Sequence, residues 1–154
     1  MMQIDSGKLF ANALDTFKAF DNLTIESSGL GQEQFPTSVW QILNHLIRWQ
    51  ASQLGELQGI PPAQPINEVT TWISQRAPSS EALLQEAVAQ FNGQLAALHT
   101  ELDHIAGTEG AAGKLKIIQE VALHLAFHVG EVVLVRRLQG SYPLPDQMKS
   151  FLQS

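Results

Sequence analysis

The chain has 154 residues, of which 44% are hydrophobic and 16% are charged, a composition typical of one globular domain. Its formal net charge of −6 at pH 7 disfavours nucleic-acid binding, and no basic patch offsets it. Arg136 and Arg137 are adjacent, but they end a predicted helix, where they suit its dipole. The chain has no cysteine, which excludes disulfides, thiolate metal ligands and a cysteine nucleophile. We expect a single domain over residues 1–154 that binds no nucleic acid.

The N-terminal residues lack the basic start and apolar run of a signal peptide. We also expect no segment to be apolar over the roughly 18 residues that a membrane helix needs. The sequence therefore predicts a cytoplasmic protein without a membrane segment.

Apolar residues at helical spacing predict helices along the chain, and no convincing strand pattern is present. The first predicted helix runs from about Ser6 to Ser27. The second begins after Pro36, where Ser38 and Gln41 fit a capping box, and it ends near Gly59.

A long connection follows the second predicted helix. It contains four prolines, Pro61, Pro62, Pro65 and Pro78. This density forbids a long helix, although residues 68–75 could form a short turn around Trp72. A connection of this length often shapes a site or crosses a bundle.

The third predicted helix starts at Ser79 or Ser80, and a loop over residues 107–113 follows it. The fourth runs from about Lys114 to Gln139, with Gly140 as the residue after its C-cap. Four amphipathic helices of similar length predict an all-α fold. We expect a four-helix bundle with the long proline-containing connection between helices 2 and 3.

Three histidines suggest a metal site in this bundle. His124 and His128 are four residues apart in the apolar stretch Leu115 to Leu138, so they share a helix face and can bind one metal ion. His45, in the second predicted helix, could complete a three-histidine site with positions open for water or substrate. A core histidine satisfied by a carbonyl or a carboxylate is the alternative, above all for His45 taken alone.

Glu131 lies on the same helical face as the histidine pair. It could orient a ligand imidazole, act as a general base, or bind the metal, and the alternative is a solvated glutamate near a helix end. Arg48 lies one turn after His45 and could contact Glu131 or water. Trp49 is expected in the core.

The other histidines are predicted to lie on the surface. A di-iron carboxylate site needs two Glu-x-x-His motifs, and this chain has only Glu101 to His104, whose ends fall away from the apolar stripe. His99 lies at the edge of the same helix's apolar face. We therefore reject a di-iron site.

The fourth predicted helix has a second apolar strip of Leu123, Phe127 and Leu134. A helix that is apolar on two sides is either central or covered by a partner. We expect a homodimer in which this strip takes part. The alternative is that the first helix or the proline-containing connection covers it.

Several short motifs, in their order and spacing, resemble the DinB/YfiT-like family. They are Val39-Trp40-Gln41-Ile42-Leu43-Asn44-His45-Leu46, Trp72 with Ala77-Pro78, His124-x-x-x-His128-x-Gly130-Glu131, and Arg136-Arg137-Leu138-Gln139-Gly140. The resemblance spans nearly the whole chain. It implies a four-helix bundle, often dimeric, with a divalent metal held by three histidines, which carry over to His45, His124 and His128. Members often have glutamine at the position of Glu131.

Characterised relatives in that family include transferases and isomerases that depend on low-molecular-weight thiols. We therefore expect a divalent-metal-dependent enzyme, a thiol-dependent transferase or a hydrolase, that acts on a small molecule. Three imidazoles suit zinc, nickel, copper or ferrous iron, of which we expect zinc or nickel. Any thiol must come from a cosubstrate because the chain has no cysteine. The alternative is a non-catalytic helical module that binds a small molecule or a partner and has structural histidines.

Overall fold

The computed structural model describes residues 5–105 and 107–154, and all regular structure within these ranges is helical. The helices are α1 (Ser6–Leu9), α2 (Ile25–Ser28), α3 (Val39–Leu57), α4 (Glu68–Thr71), α5 (Glu81–Ile105), α6 (Ala111–Leu138) and α7 (Met148–Gln153), with a 3₁₀ turn at Pro145–Gln147. The long helix α3 packs against both α5 and α6. The all-α prediction is confirmed, and the helices form a bundle.

The first predicted helix, from Ser6 to Ser27, is wrong as a continuous element, because only its two ends are helical. Between them Phe17, Lys18 and Asn22 have φ between 52° and 57°. The Asp15 carboxylate accepts a hydrogen bond from the Phe17 N–H at 2.8 Å. Aspartate and asparagine form such local turns in competition with a helix, and apolar spacing does not register this competition.

Helix α3 begins and ends as the sequence predicts. The Ser38 hydroxyl accepts a hydrogen bond from the Gln41 N–H at 3.2 Å, and the Gln41 side chain accepts one from the Ser38 N–H at 3.1 Å. This reciprocal capping box satisfies two N–H groups at the start of the helix. The chain leaves α3 at Leu57, and Gly59 takes a φ of 73°, where glycine avoids a steric penalty.

The connection between α3 and α5 is held against α3. Its short helix α4 confirms the predicted turn before Trp72, and the Asn67 side chain caps that helix by accepting from the Thr70 N–H at 3.0 Å. The Gln41 amide donates to the Ile73 carbonyl at 2.9 Å. These bonds set α4 beside the middle of α3, where His45 lies.

Helices α5 and α6 lie close to their predicted positions. Helix α5 begins directly after Ser80, as expected. Helix α6 begins at Ala111 rather than Lys114, because the left-handed Gly110 provides its N-cap. Gly140 has a φ of 71° after the end of α6, which confirms its predicted role.

Helix α6 is apolar on two faces, and only one of them is covered. The core-facing residues Val121, Leu125 and Val132 are at most 1% exposed. The second strip, Leu123, Phe127 and Leu134, is 60–66% exposed. The alternative that the first segment or the connection covers this strip is therefore wrong for the residues described.

Helix α6 also corrects one expectation about apolar segments. Among the described helices it is the one that is long and apolar enough to cross a membrane, by length and composition alone. The two apolar faces, with few charges between them, produce this property. Core helices of soluble proteins share it, and one face of α6 lines the core of this bundle.

Arg136 joins the broken N-terminal segment to the end of α6. Its guanidinium is buried and donates to the carbonyls of Ala19 at 2.7 Å, Asp21 at 3.0 Å and Ser141 at 2.7 Å. From the sequence, Arg136 was expected only to interact favourably with the helix dipole. The structure shows that it satisfies backbone carbonyls that the missing first helix leaves without helical partners.

Replacing Arg136 by methionine should lower the free energy of unfolding by about 2–4 kcal/mol, since buried carbonyls lose a charged donor. Urea denaturation measures the change. Arg137→Met is the matched control, because Arg137 makes a single bond to the Pro143 carbonyl. Equal losses in the two variants would contradict this role for Arg136.

Candidate metal centre

The three predicted histidines come together between α3 and α6. The Nε2 atom of His124 lies 3.0 Å from Nε2 of His45 and 3.1 Å from Nε2 of His128. One nitrogen from each ring lies within 4.8 Å of the other two. His45 and His124 are 79 positions apart in the sequence, yet their Nε2 atoms face each other in the folded chain.

The protonation of these rings favours a site that accepts a cation. Glu131 Oε2 lies 3.2 Å from Nδ1 of His128. A carboxylate accepts hydrogen bonds, so it favours the tautomer with hydrogen on Nδ1 and a free electron pair on Nε2. The Nε2 atom of His128 then faces the other two rings as an acceptor, which is the form that binds a metal.

Burial keeps the rings of His45 and His124 neutral. His45 has no exposed surface and His128 is 5% exposed. The pKa of His45 is lowered to about 3 and that of His124 to about 4, mainly by loss of hydration and in part by repulsion from His128. Neutral imidazoles at pH 7 need no deprotonation before they bind a metal ion.

The convergence of the three Nε2 atoms also favours a metal ion. The Nε2 atoms of three neutral rings can satisfy one another only in part, since two facing electron pairs repel. Three nitrogens that converge with spare electron pairs are a ligand set that zinc or nickel accepts.

Two tryptophans hold the ring of His45 and its neighbours. Trp72 stacks on His45 with ring centroids 3.9 Å apart and planes 10° from parallel. Trp49, which was expected in the core, is half-buried and lies 5.7 Å from the ring of His124, so it borders the site. The sequence analysis noted the position of Trp72 in the connection, but its contact with His45 depends on tertiary folding.

Among the other polar residues considered from the sequence, Glu131 contacts the histidine cluster. Glu131 contacts the nitrogen of His128 that points away from the cluster, which is the geometry of an orienting residue. Arg48 does not meet Glu131, and its guanidinium donates to the Thr70 carbonyl at 2.9 Å. His99 and His104 are exposed, as predicted.

One further residue near the histidine cluster was not predicted from the sequence. Glu68, the first residue of α4, places Oε1 3.9 Å from Nε2 of His45 and accepts a hydrogen bond from the Trp72 indole at 3.2 Å. Nothing in the spacing of a proline-rich connection marks this glutamate. Its position follows from the way α4 packs on α3.

An open cavity of about 460 Å³ adjoins the turn of α3 that follows His45. It lies between α3 and the proline-containing connection. Its walls include Arg48, Ser52, Pro65, Asn67 and Thr70. The cavity is large enough for a small molecule and has a cationic side chain on its wall.

A helical bundle in which three imidazoles converge between two helices defines a class of protein that could hold a metal ion there. The sequence model of the DinB superfamily matches residues 12–131, a range that includes all three histidines. The chain belongs to the DinB superfamily, as the sequence motifs indicated. No curated protein and no solved structure matches the chain.

The metal-free protein should lose stability as the pH falls below about 6.5. In the folded state His45 and His124 have pKa values of about 3 and about 4, whereas in the unfolded chain they bind protons near 6.5. The unfolded state therefore binds more protons in this window, and the free energy of unfolding decreases toward pH 4. Urea denaturation in the presence of a chelator measures it.

The matched comparison for this pH dependence is His124→Gln against His99→Gln. The first variant removes one buried titrating group and should flatten the decrease, and the second removes an exposed histidine and should leave it unchanged. An unaltered decrease in His124→Gln would contradict the assignment of depressed pKa values to the cluster.

Proposed function

We propose that this protein is a divalent-metal-dependent enzyme that acts on a small molecule at a site formed by His45, His124 and His128. The observation that carries the proposal is the convergence of three Nε2 atoms, with separations of 3.0 Å and 3.1 Å from the central one. Membership of the DinB superfamily supports it. Zinc or nickel is the metal that we expect, since nitrogen ligands suit both.

The three imidazoles would hold the ion, and Glu131 would fix the ring of His128 through Nδ1. The metal, when bound, supplies Lewis-acid chemistry that lowers the pKa of a water molecule or of a thiol. Trp72 keeps the His45 ring in place by stacking and excludes water from one of its faces. Glu131 is in this account a positioning residue rather than a group that touches the substrate.

The reaction that we favour is transfer to or from a low-molecular-weight thiol, or hydrolysis at the same centre. A thiol would have to be a cosubstrate, because the chain has no cysteine. The resemblance noted from the sequence motifs supports the thiol-dependent class. We place the small-molecule substrate in the cavity beside Arg48, and we retain a cytoplasmic location without nucleic-acid or membrane partners as part of the proposal.

Replacing His124 by alanine should abolish stoichiometric metal binding and any activity together, because the central nitrogen of the cluster is lost. Elemental analysis of protein purified without chelators measures the metal. His99→Ala is the control, since it removes an exposed histidine and should leave the metal content unchanged.

Full metal occupancy in His124→Ala would overturn the three-ligand assignment. Wild-type protein that carries no stoichiometric metal would favour the alternative from a different class, a non-catalytic helical module with structural histidines. A screen with low-molecular-weight thiols and electrophiles on the metal-loaded protein then tests the reaction class.

We further propose that the protein is a homodimer formed through the exposed strip of α6. Leu123, Phe127 and Leu134 are 60–66% exposed, and Leu138, one turn beyond Leu134, is 65% exposed. A row of apolar residues along one helix is self-complementary when a second copy packs on it across a twofold axis. Apolar surface arranged in this way marks interaction sites more often than isolated exposed residues do.

Leu123→Glu should convert the dimer to a monomer at micromolar concentration, because a buried charge without a partner opposes association. Sedimentation measures the mass. Ile60→Glu is the control, as Ile60 is equally exposed at 66% but lies outside the strip. A wild-type monomer at micromolar concentration would remove the dimer.

A further inference from the structure

The connection between α3 and α5 contributes a carboxylate to the histidine centre. We propose that Glu68 is a fourth protein ligand of the metal ion, so that α4 closes the side of the site that the three imidazoles leave open. This inference rests on the proposed metal site and adds to it a ligand of a different chemical type. The resulting donor set is three nitrogens and one oxygen.

The distances permit one ion to bind both groups. Two ligand atoms on a single tetrahedral zinc ion lie about 3.3 Å apart, given metal–ligand bonds of about 2.0–2.1 Å. Glu68 Oε1 lies 3.9 Å from Nε2 of His45, which is too far for a direct hydrogen bond but close to that separation. The Glu68 side chain is 67% exposed, so a small rotation about its flexible bonds would complete the approach.

The carboxylate is also held toward the centre. The indole N–H of Trp72 donates to Glu68 Oε1 at 3.2 Å, while the same indole stacks on His45. One tryptophan thus sets both a ligand ring and the oxygen beside it. Ligating carboxylates commonly receive such a hydrogen bond from the protein, and it fixes which oxygen faces the metal.

The charge of the donor set also favours Glu68 as a ligand. Three neutral imidazoles leave the charge of a divalent ion unbalanced, and Glu68 reduces it by one.

The backbone of α4 keeps Glu68 in reach. Asn67 caps the helix through the Thr70 N–H, and the Arg48 guanidinium on α3 donates to the Thr70 carbonyl. Helix α4 is therefore tied to the helix that carries His45. The Glu68 side chain is 67% exposed, so it can be reached from solvent while the backbone of α4 stays in place.

The test compares Glu68→Ala with Glu86→Ala, in which the control glutamate is exposed on α5. Cobalt(II) is titrated into each protein, and the visible absorption spectrum reports the number and type of ligands. Zinc affinity is measured by competition with a chelator. Glu68→Ala should weaken zinc binding roughly 10–100-fold and change the cobalt spectrum, and Glu86→Ala should do neither.

A second variant separates the hydrogen bond from the ligand. Trp72→Phe keeps an aromatic ring on His45 but removes the indole N–H, so it should weaken zinc binding less than Glu68→Ala does. Wild-type affinity and an unchanged cobalt spectrum in Glu68→Ala would overturn this inference and leave the three-histidine site standing. A wild-type protein that binds neither cobalt nor zinc would overturn the metal site, and the fourth ligand with it.

Discussion

The close approach of three imidazole rings across the interface of α3 and α6 is the constraint on which the rest of this structure depends. Two pairs of Nε2 atoms lie 3.0 Å and 3.1 Å apart in a buried environment. Each ring gives up hydration to reach this position, and a buried polar atom without a partner costs about 1–3 kcal/mol. A metal ion bound by the three nitrogens would compensate for this cost.

The capping and packing of the two helices stabilise the arrangement that brings the histidine rings together. The capping box at Ser38 fixes the start of α3, and with it the rotation of the helix that brings His45 to α6. On α6 the histidines lie beside Val121, Leu125 and Val132, which are almost fully buried in the core. Hydrophobic burial along both helices thus holds the rings together, and the polar cluster occupies the edge of a core that is stable around it.

Local patterns predicted the parts of the protein in which local interactions decide the structure. Helix α3 follows from a capping box and an apolar stripe, and α6 from its periodicity and Gly140. The histidine pair followed from a spacing of four on a helix, and His45 could be added because it lies in a second apolar helix. Only the convergence of the rings required the tertiary structure.

Local turns prevent the predicted first helix, whereas the carboxylate beside the histidines depends on contacts distant in sequence. The first segment has helical apolar spacing, but turns at Asp15 and Asn22 interrupt it, and Arg136 supplies its carbonyls with donors from the other end of the chain. Glu68 carries no signal in a proline-rich connection until α4 packs on α3. The residues that complete the site are therefore those with the weakest sequence pattern.

X-ray absorption spectroscopy at the zinc edge of the zinc-loaded protein tests the central claim most directly, because scattering from imidazole rings reveals how many bind the metal. We predict three imidazole ligands per zinc ion, each at about 2.0–2.1 Å. A spectrum that shows one imidazole or none, with oxygen ligands making up the rest, would contradict it.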